Sequence, residues 1–334
     1  MSRDYRSTRL SDIVGQDELR RRLDIMVLAS VMKNDALPHM IFYGPRGTGK
    51  TTFARALANE RDVQIVEVTG DSVQKKEDVR SLINRISIDG YRYNFATESW
   101  VENGDEIRPT ILFVDEIHRM SKEATEALYH PLEDGLHTVV RRNTGKLTTM
   151  RLPKFTLIGA TTDAGKLLPP LITRVRMMYL EPYSNAQLFA ITKTHYQRSF
   201  EGNGYGVVFN DDALWSISRR SQGTPRLAVR NLSELVDVAM VEAPGEVIDE
   251  RWVDKTMMDL MGIDKHGLGS LERRLLLKLS ELGRPTGIDA MASYLGESPH
   301  NIEAAERYLQ EIGALLRGPK GREITDTGRV LLER

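Results

Sequence analysis

The chain has 334 residues, 40% of them hydrophobic and 28% charged, the composition of a globular protein with two or three domains. A formal net charge of −1 excludes a global basic field, so any contact with nucleic acid must come from local patches. The absence of cysteine excludes disulfides and cysteine-bound zinc and suits the cytoplasm, and neither a signal peptide nor an apolar stretch long enough for a membrane span is present, so no membrane role is expected.

In chain order, residues 16–33 place Leu19, Leu23, Met26, Val27 and Val31 at helical spacing. Met40-Ile41-Phe42-Tyr43 reads as a short buried strand and Thr52 to Ala58 as the first turns of a helix. Between them, Gly44-Pro45-Arg46-Gly47-Thr48-Gly49-Lys50-Thr51 fits the phosphate-loop pattern G-x-x-x-x-G-K-[ST]. The glycines let backbone N–H groups curl inward onto a polyphosphate, and the helix N-terminus adds a favourable dipole. Gly44, Pro45, Arg46, Gly47, Thr48, Gly49, Lys50, Thr51 and Thr52 are therefore the expected nucleotide contacts. Lys50 would reach the β- and γ-phosphates, and Thr51 would help to hold Mg²⁺.

Further strands are expected near 63–68, 111–115 and 155–160, with helices near 75–86 and 121–130. That alternation predicts an α/β fold, a parallel sheet with helices on both faces. The run Thr110 to Val114 is continuously apolar, as for a strand buried on both faces, and ends in Asp115 and Glu116. Asp115 would order the waters around Mg²⁺ and Glu116 would polarise an attacking water, so the pair signals hydrolysis of a nucleoside triphosphate as well as binding. Two acids merely capping a strand at the surface would be the blander account, but after a phosphate loop it is the weaker one. Residues 136–152 read as a protruding hairpin around Asn143-Thr144-Gly145.

Past Pro182 the character changes. Residues 183–262 are mostly helical, with periodic runs at 185–199, 211–221, 225–242 and 249–261. Residues 263–334 read as helices near 270–281, 288–295 and 300–312, then two short strands around Gly318-Pro319, the pattern of a winged helix. The expected domains are thus 1–182, a nucleotide-binding α/β domain; 183–262, a helical domain; and 263–334, a winged helix. Arg307 on the last helix and Arg317, Lys320 and Arg322 on the wing are candidate phosphate contacts, opposed by the acidic Glu303, Glu306 and Glu311.

Taken together these motifs resemble the RuvB family, AAA+ ATPases that drive branch migration of Holliday junctions. The likeness runs from Ile13-Val14-Gly15-Gln16 through Asp115-Glu116-Ile117-His118-Arg119, Phe155 to Thr162, and Gly223-Thr224-Pro225-Arg226 to the wing. It implies that Thr161 is the sensor 1 hydroxyl, that Arg174 is an arginine finger reaching a neighbouring subunit, and that Pro225 and Arg226 form sensor 2. It implies also that Val14, Gly15 and Tyr183 enclose the adenine, and that a homo-oligomeric ring, a hexamer, moves duplex or branched DNA.

The chain departs from the family pattern at several places. Ile172 stands where the finger motif has an earlier Arg, and Arg176 stands where it has Gly, which makes Arg176 a competing finger. Residues 87–108 read as an insertion with room for two strands beside the sheet. The 136–152 hairpin, the family's dock for a RuvA-like junction-binding protein, carries Arg141, Arg142 and Lys146 and few large apolar residues. A clamp loader or helicase loader, or a slow nucleotide switch that binds a protein, remains open at this level.

Overall fold

The computed structural model describes residues 9–83, 85, 91–94, 99–102, 110–140, 147–152, 154–202 and 206–332. The chain forms two compact units, divided between Tyr183 and Ser184.

The first unit is built on a five-stranded parallel sheet in the order Gln64–Thr69, Thr110–Asp115, Phe155–Thr161, Met40–Tyr43, Arg176–Tyr179. Strands alternate their side chains between faces, and two hydrophobic clusters record that alternation. Ile111 and Phe113 join Phe42, Phe53 and Met178 in one cluster, while Leu112 and Val114 join Ile41, Leu157 and Leu128 in the other. Both faces are buried, which is why these strands read as unbroken apolar runs.

The chain order makes Met40–Tyr43 the switch point. Its next strand, Gln64–Thr69, lies at the far edge, beyond the two strands that come later in sequence. In open α/β sheets a crevice forms at the carboxyl ends of the strands where the order reverses. Four-residue Arg176–Tyr179 closes the other edge and was not expected from the sequence. Its Arg-Met-Met-Tyr run has no β-branched residue, so pairing with Met40–Tyr43 rather than propensity makes it a strand.

Two small antiparallel ladders accompany the sheet. Tyr91–Asn94 pairs with Ser99–Glu102 inside the insertion, so the two strands form their own ladder rather than widening the main sheet. Leu136–Val140 pairs with Leu147–Arg151, giving the expected hairpin. Arg141, Arg142 and Lys146 at its turn lie outside the described residues.

In the second unit, helices Asn185–Ser199, Asp211–Arg219, Pro225–Glu242 and Glu250–Asp259 enclose one hydrophobic cluster, from Tyr196 to Met257. Three of these helices are N-capped by side chains: the hydroxyl of Ser184 and the side-chain oxygens of Asn210 and Asp249 each accept the N–H three residues on. Helices Ser270–Leu282, Ile288–Leu295 and Pro299–Glu311 surround a second cluster, from Leu268 to Ile324. Strands Leu315–Gly318 and Gly321–Ile324 form the wing, and a further helix, Asp326–Leu332, follows it. Gln222 Nε2 donates to Gly267 O at 2.7 Å, tying the lid helices to the last segment, where Tyr308 Oη holds the adjacent His266 O at 3.0 Å.

The wing corrects one expectation. Arg322 does not face outward: it is 5% exposed, and its guanidinium makes a bidentate pair with Glu306, 2% exposed, at 2.6 and 3.1 Å. Arg317 adds a contact to the same carboxylate at 3.3 Å while remaining exposed. Glu306 is thus no repulsive charge on the DNA side; it pins the wing to helix Pro299–Glu311. Removing one partner of a buried ion pair strands the other, so Glu306→Ala should destabilise this unit by about 3–5 kcal/mol. Replacing both residues, Glu306→Leu with Arg322→Met, should recover most of that loss in urea unfolding, and failure to recover it would place the stability elsewhere.

Candidate nucleotide site

The phosphate loop leaves the carboxyl end of Met40–Tyr43 and enters helix Lys50–Arg61. Gly44 adopts φ +144°, and a Cβ there would lie 2.3 Å from the Leu180 carbonyl oxygen, so only glycine allows the chain to turn this close to its neighbour. Thr48 Oγ1 donates to Pro45 O at 2.9 Å, closing the loop on itself. Lys50 is 8% exposed and its Nζ donates to Gly44 O and Pro45 O at 2.9 and 2.6 Å. Burial pushes the Lys50 ammonium down to about 8, against the pull of the Glu116 and Asp115 carboxylates.

The structure gathers the residues expected around the adenine. Gly15 and Gln16 take left-handed conformations just before helix Asp17–Met32. Gln16 then bridges to the far end of the unit: its Nε2 donates to Glu181 O at 2.7 Å and its Oε1 accepts from Glu181 N at 3.1 Å. Tyr183 Oη donates to Thr48 O at 3.2 Å, and burial pushes the phenol up to about 12. Val14, Gly15, the loop and Tyr183 are therefore brought to one place by contacts spanning the first unit.

Asp115 ends its strand, and burial raises its carboxyl above the usual range, while the Glu116 N–H donates to it at 3.0 Å and holds it down. Glu116 has φ +48°, an uncommon conformation for a non-glycine residue. Gly70 makes room for it, since a Cβ there would sit 2.3 Å from Glu116 O. The Glu116 carboxylate accepts from Thr162 Oγ1 through Oε2 at 3.2 Å. Thr161 is fully buried, and its hydroxyl lies 2.8 Å from His118 Nδ1 and accepts from Asp163 N at 3.0 Å. Thr162, not Thr161, touches the Glu116 carboxylate. Sequence reading missed Thr162 and His118; the only signal was that neighbouring threonines at a strand end point opposite ways.

Among the described residues no group of three or more acidic, histidine or cysteine side chains could hold a metal ion. Thr51 and Asp115 fit a different kind of ion, one that keeps its waters and takes one or two protein oxygens beside substrate phosphates, as Mg²⁺ does.

Arg174 lies elsewhere on the first unit. Its guanidinium donates to Glu133 and to Pro170 O, 2.8 Å away, and stacks over Tyr129 at 4.9 Å. Arg176 opens the edge strand with an exposed side chain and has no ion pair among the described residues. Pro225 and Arg226 belong to the second unit, in the first turn of helix Pro225–Glu242, where Arg226 is exposed. Arg307 and Lys320 are exposed as well.

A phosphate loop, a strand-end acid pair and a strand-end hydroxyl on one parallel sheet define an AAA-type ATPase, and residues 40–183 match the ATPase family associated with various cellular activities (AAA). Residues 265–333 match the RuvB C-terminal winged helix domain, which removes the clamp-loader collar as a reading of this segment. The chain is 35% identical over 323 residues to the Holliday junction branch migration complex subunit RuvB of Pediococcus pentosaceus, covering 95% of this chain and 88% of that one. It is 37% identical to the same subunit of Synechococcus sp. (strain WH7803), covering 97% and 83%. The solved Thermotoga maritima RuvB Holliday junction branch migration motor superposes with a TM-score of 0.79 at 29% identity, over 98% of both chains. This chain belongs to the RuvB family.

Phosphate binding stabilises the charged form of Lys50, so nucleotide affinity should fall as pH rises through about 8 and binding there should take up a proton. Calorimetric titration in buffers of different ionisation enthalpy would show this. In Lys50→Arg, whose charge does not titrate, the uptake should vanish; uptake that persists would belong to another group.

Proposed function

We infer that this chain is the ATP-hydrolysing motor subunit of a branch migration complex, moving DNA through Holliday junctions in recombination and repair. The observation that carries the reading is the convergence of Lys50, Asp115, Glu116 and Thr162 at the carboxyl ends of adjacent strands, in a chain whose third segment is a RuvB-type winged helix.

Phosphoryl transfer needs positioning and charge neutralisation more than covalent chemistry. The backbone N–H groups of residues 46–51 cradle the phosphates, and phosphate oxygens take Lys50 Nζ from the loop carbonyls that now hold it. Thr51 and Asp115 are the residues that would hold Mg²⁺, which would neutralise charge on the phosphates. Glu116 orients and polarises the attacking water, with the sensor hydroxyls of Thr161 and Thr162 behind it. Arg226 serves as sensor 2 from the lid, coupling nucleotide state to lid position.

Arg174 makes none of the phosphate-loop contacts in its own chain, which supports its use in trans on a neighbour's nucleotide. The complete site then exists only in a closed ring, for which six subunits is our reading. The winged helix carries DNA contacts through Arg307, Arg317 and Lys320. A RuvA-like junction-binding protein docks on the 136–152 hairpin, and the complex works in the cytoplasm.

Glu116→Gln should bind ATP and fail to turn it over, and with duplex DNA its native mass should be that of six subunits. Arg174→Ala should keep nucleotide affinity but lose about 10³-fold or more in assembly-dependent turnover. Should Arg176→Ala alone do so, the finger is Arg176. A five-subunit or DNA-free assembly would favour a loader or switch instead. Arg307→Ala with Lys320→Ala should weaken duplex binding equally across sequences and flatten its log–log salt slope by about 0.9 for each phosphate no longer neutralised. An unchanged slope would remove these residues from the DNA interface.

A further inference from the structure

His118 is a titratable side chain of the site with no part in the steps above, and its position is specific. It sits in the short turn Ile117–Arg119 that follows Glu116, with its side chain 9% exposed. Its Nδ1 is 2.8 Å from Thr161 Oγ1 and 3.3 Å from Glu116 Oε2. A lone pair on Nδ1 facing a carboxylate oxygen would repel it. We assign the proton to Nδ1, the tautomer in which it faces both the threonine oxygen and the carboxylate.

The consequence for Glu116 is an asymmetry between its two oxygens. Oε2 lies 3.3 Å from His118 Nδ1 and accepts from Thr162 Oγ1 at 3.2 Å, whereas among the described residues Oε1 has only a marginal 3.5 Å approach from Thr162. One oxygen is anchored and the other is left to accept a hydrogen bond from water. The same imidazole touches Thr161, whose hydroxyl is fixed from its other side by the Asp163 N–H at 3.0 Å. The turn after the acid pair and the end of strand Phe155–Thr161 are thereby joined through one ring.

We propose that His118 is a positioning residue for hydrolysis: it aims the Glu116 carboxylate by anchoring Oε2 and couples that aim to the end of the sensor strand. This rests on Glu116 directing the attacking water. Glu116 sits in a strained left-handed conformation at the start of a turn, and two chain segments must agree on where its side chain points. A ring in contact with both segments, 2.8 Å from the threonine oxygen and 3.3 Å from the carboxylate, supplies that agreement, and a small misplacement of such a group costs rate out of proportion to its size.

The test uses the full chain assembled on duplex DNA with ATP. His118→Leu fills the space without a donor, and His118→Asn keeps an N–H donor on a shorter side chain. Steady-state turnover gives kcat, and a fluorescent ATP analogue gives nucleotide affinity. His118→Leu should lower kcat by up to about 10²-fold while affinity stays within about threefold, and His118→Asn should recover at least about tenfold of that loss. In a Glu116→Gln background the His118→Leu effect on the single-turnover rate should shrink to less than about twofold, because the ring acts through that carboxylate.

An unchanged kcat in His118→Leu, an Asn variant as slow as the Leu variant, or a full His118 effect persisting in the Glu116→Gln background would overturn the proposal and leave the Glu116 assignment standing. Wild-type turnover in Glu116→Gln alone would overturn the Glu116 assignment and this proposal with it.

Discussion

The chemistry of the first unit depends on the parallel register that places Met40–Tyr43 beside Phe155–Thr161, and that strand beside Thr110–Asp115. Tyr43 lies opposite Thr161, and Val114 opposite Gly159, so the three strands reach their carboxyl ends together. Each end then releases a different functional group: the phosphate loop, the acid pair, the threonine pair. A parallel register cannot slip by one residue without exchanging the two buried faces, and here both faces are filled by hydrophobic clusters. Core packing far from the nucleotide therefore fixes the separation of the reacting groups.

Within that frame the site holds charges of both signs in partly dry surroundings. Burial disfavours the charged forms of Lys50 and Asp115 alike, and for Lys50 it outweighs the attraction of two nearby carboxylates. Such a site is poised for a ligand that brings both anionic oxygens for the lysine and a cation for the acids. A nucleotide supplies the anionic oxygens, which ties its affinity to the protonation of Lys50.

The second unit solves a different electrostatic problem. The wing presents exposed cations, yet a two-stranded ribbon is marginal without something to hold it. Glu306 and Arg322 supply the hold from inside, and Arg317 shares the same carboxylate while presenting its charge outward. Thr286 adds a backbone partner to Arg322, its N–H donating at 2.9 Å and its carbonyl accepting at 2.8 Å, so the wing edge is braced on both sides. The link from Gln222 to Gly267 joins this module to the lid helices, and Tyr308 holds the adjacent His266, a physical path between lid and wing.

The sequence by itself determined whatever is written in contiguous residues: the phosphate loop, the apolar strand ending in Asp115-Glu116, the periodic runs of the lid helices, and the helix–turn–wing order of the last segment. These are legible because loops, helical periodicity and strand ends obey local backbone rules that need no distant partner. Only the tertiary structure decided which side chains meet. The edge strand Arg176–Tyr179 exists because a neighbour pairs with it. Thr162 rather than Thr161 reaches Glu116, and His118 joins both strand ends, because strand alternation and a left-handed residue aim them there. Arg322 and Glu306 look like two more surface charges in the sequence; a buried partner sixteen residues away turns them into the clamp of the wing. Sequence spacing records what is near along the chain, and burial and pairing across the fold decide where each charge ends up.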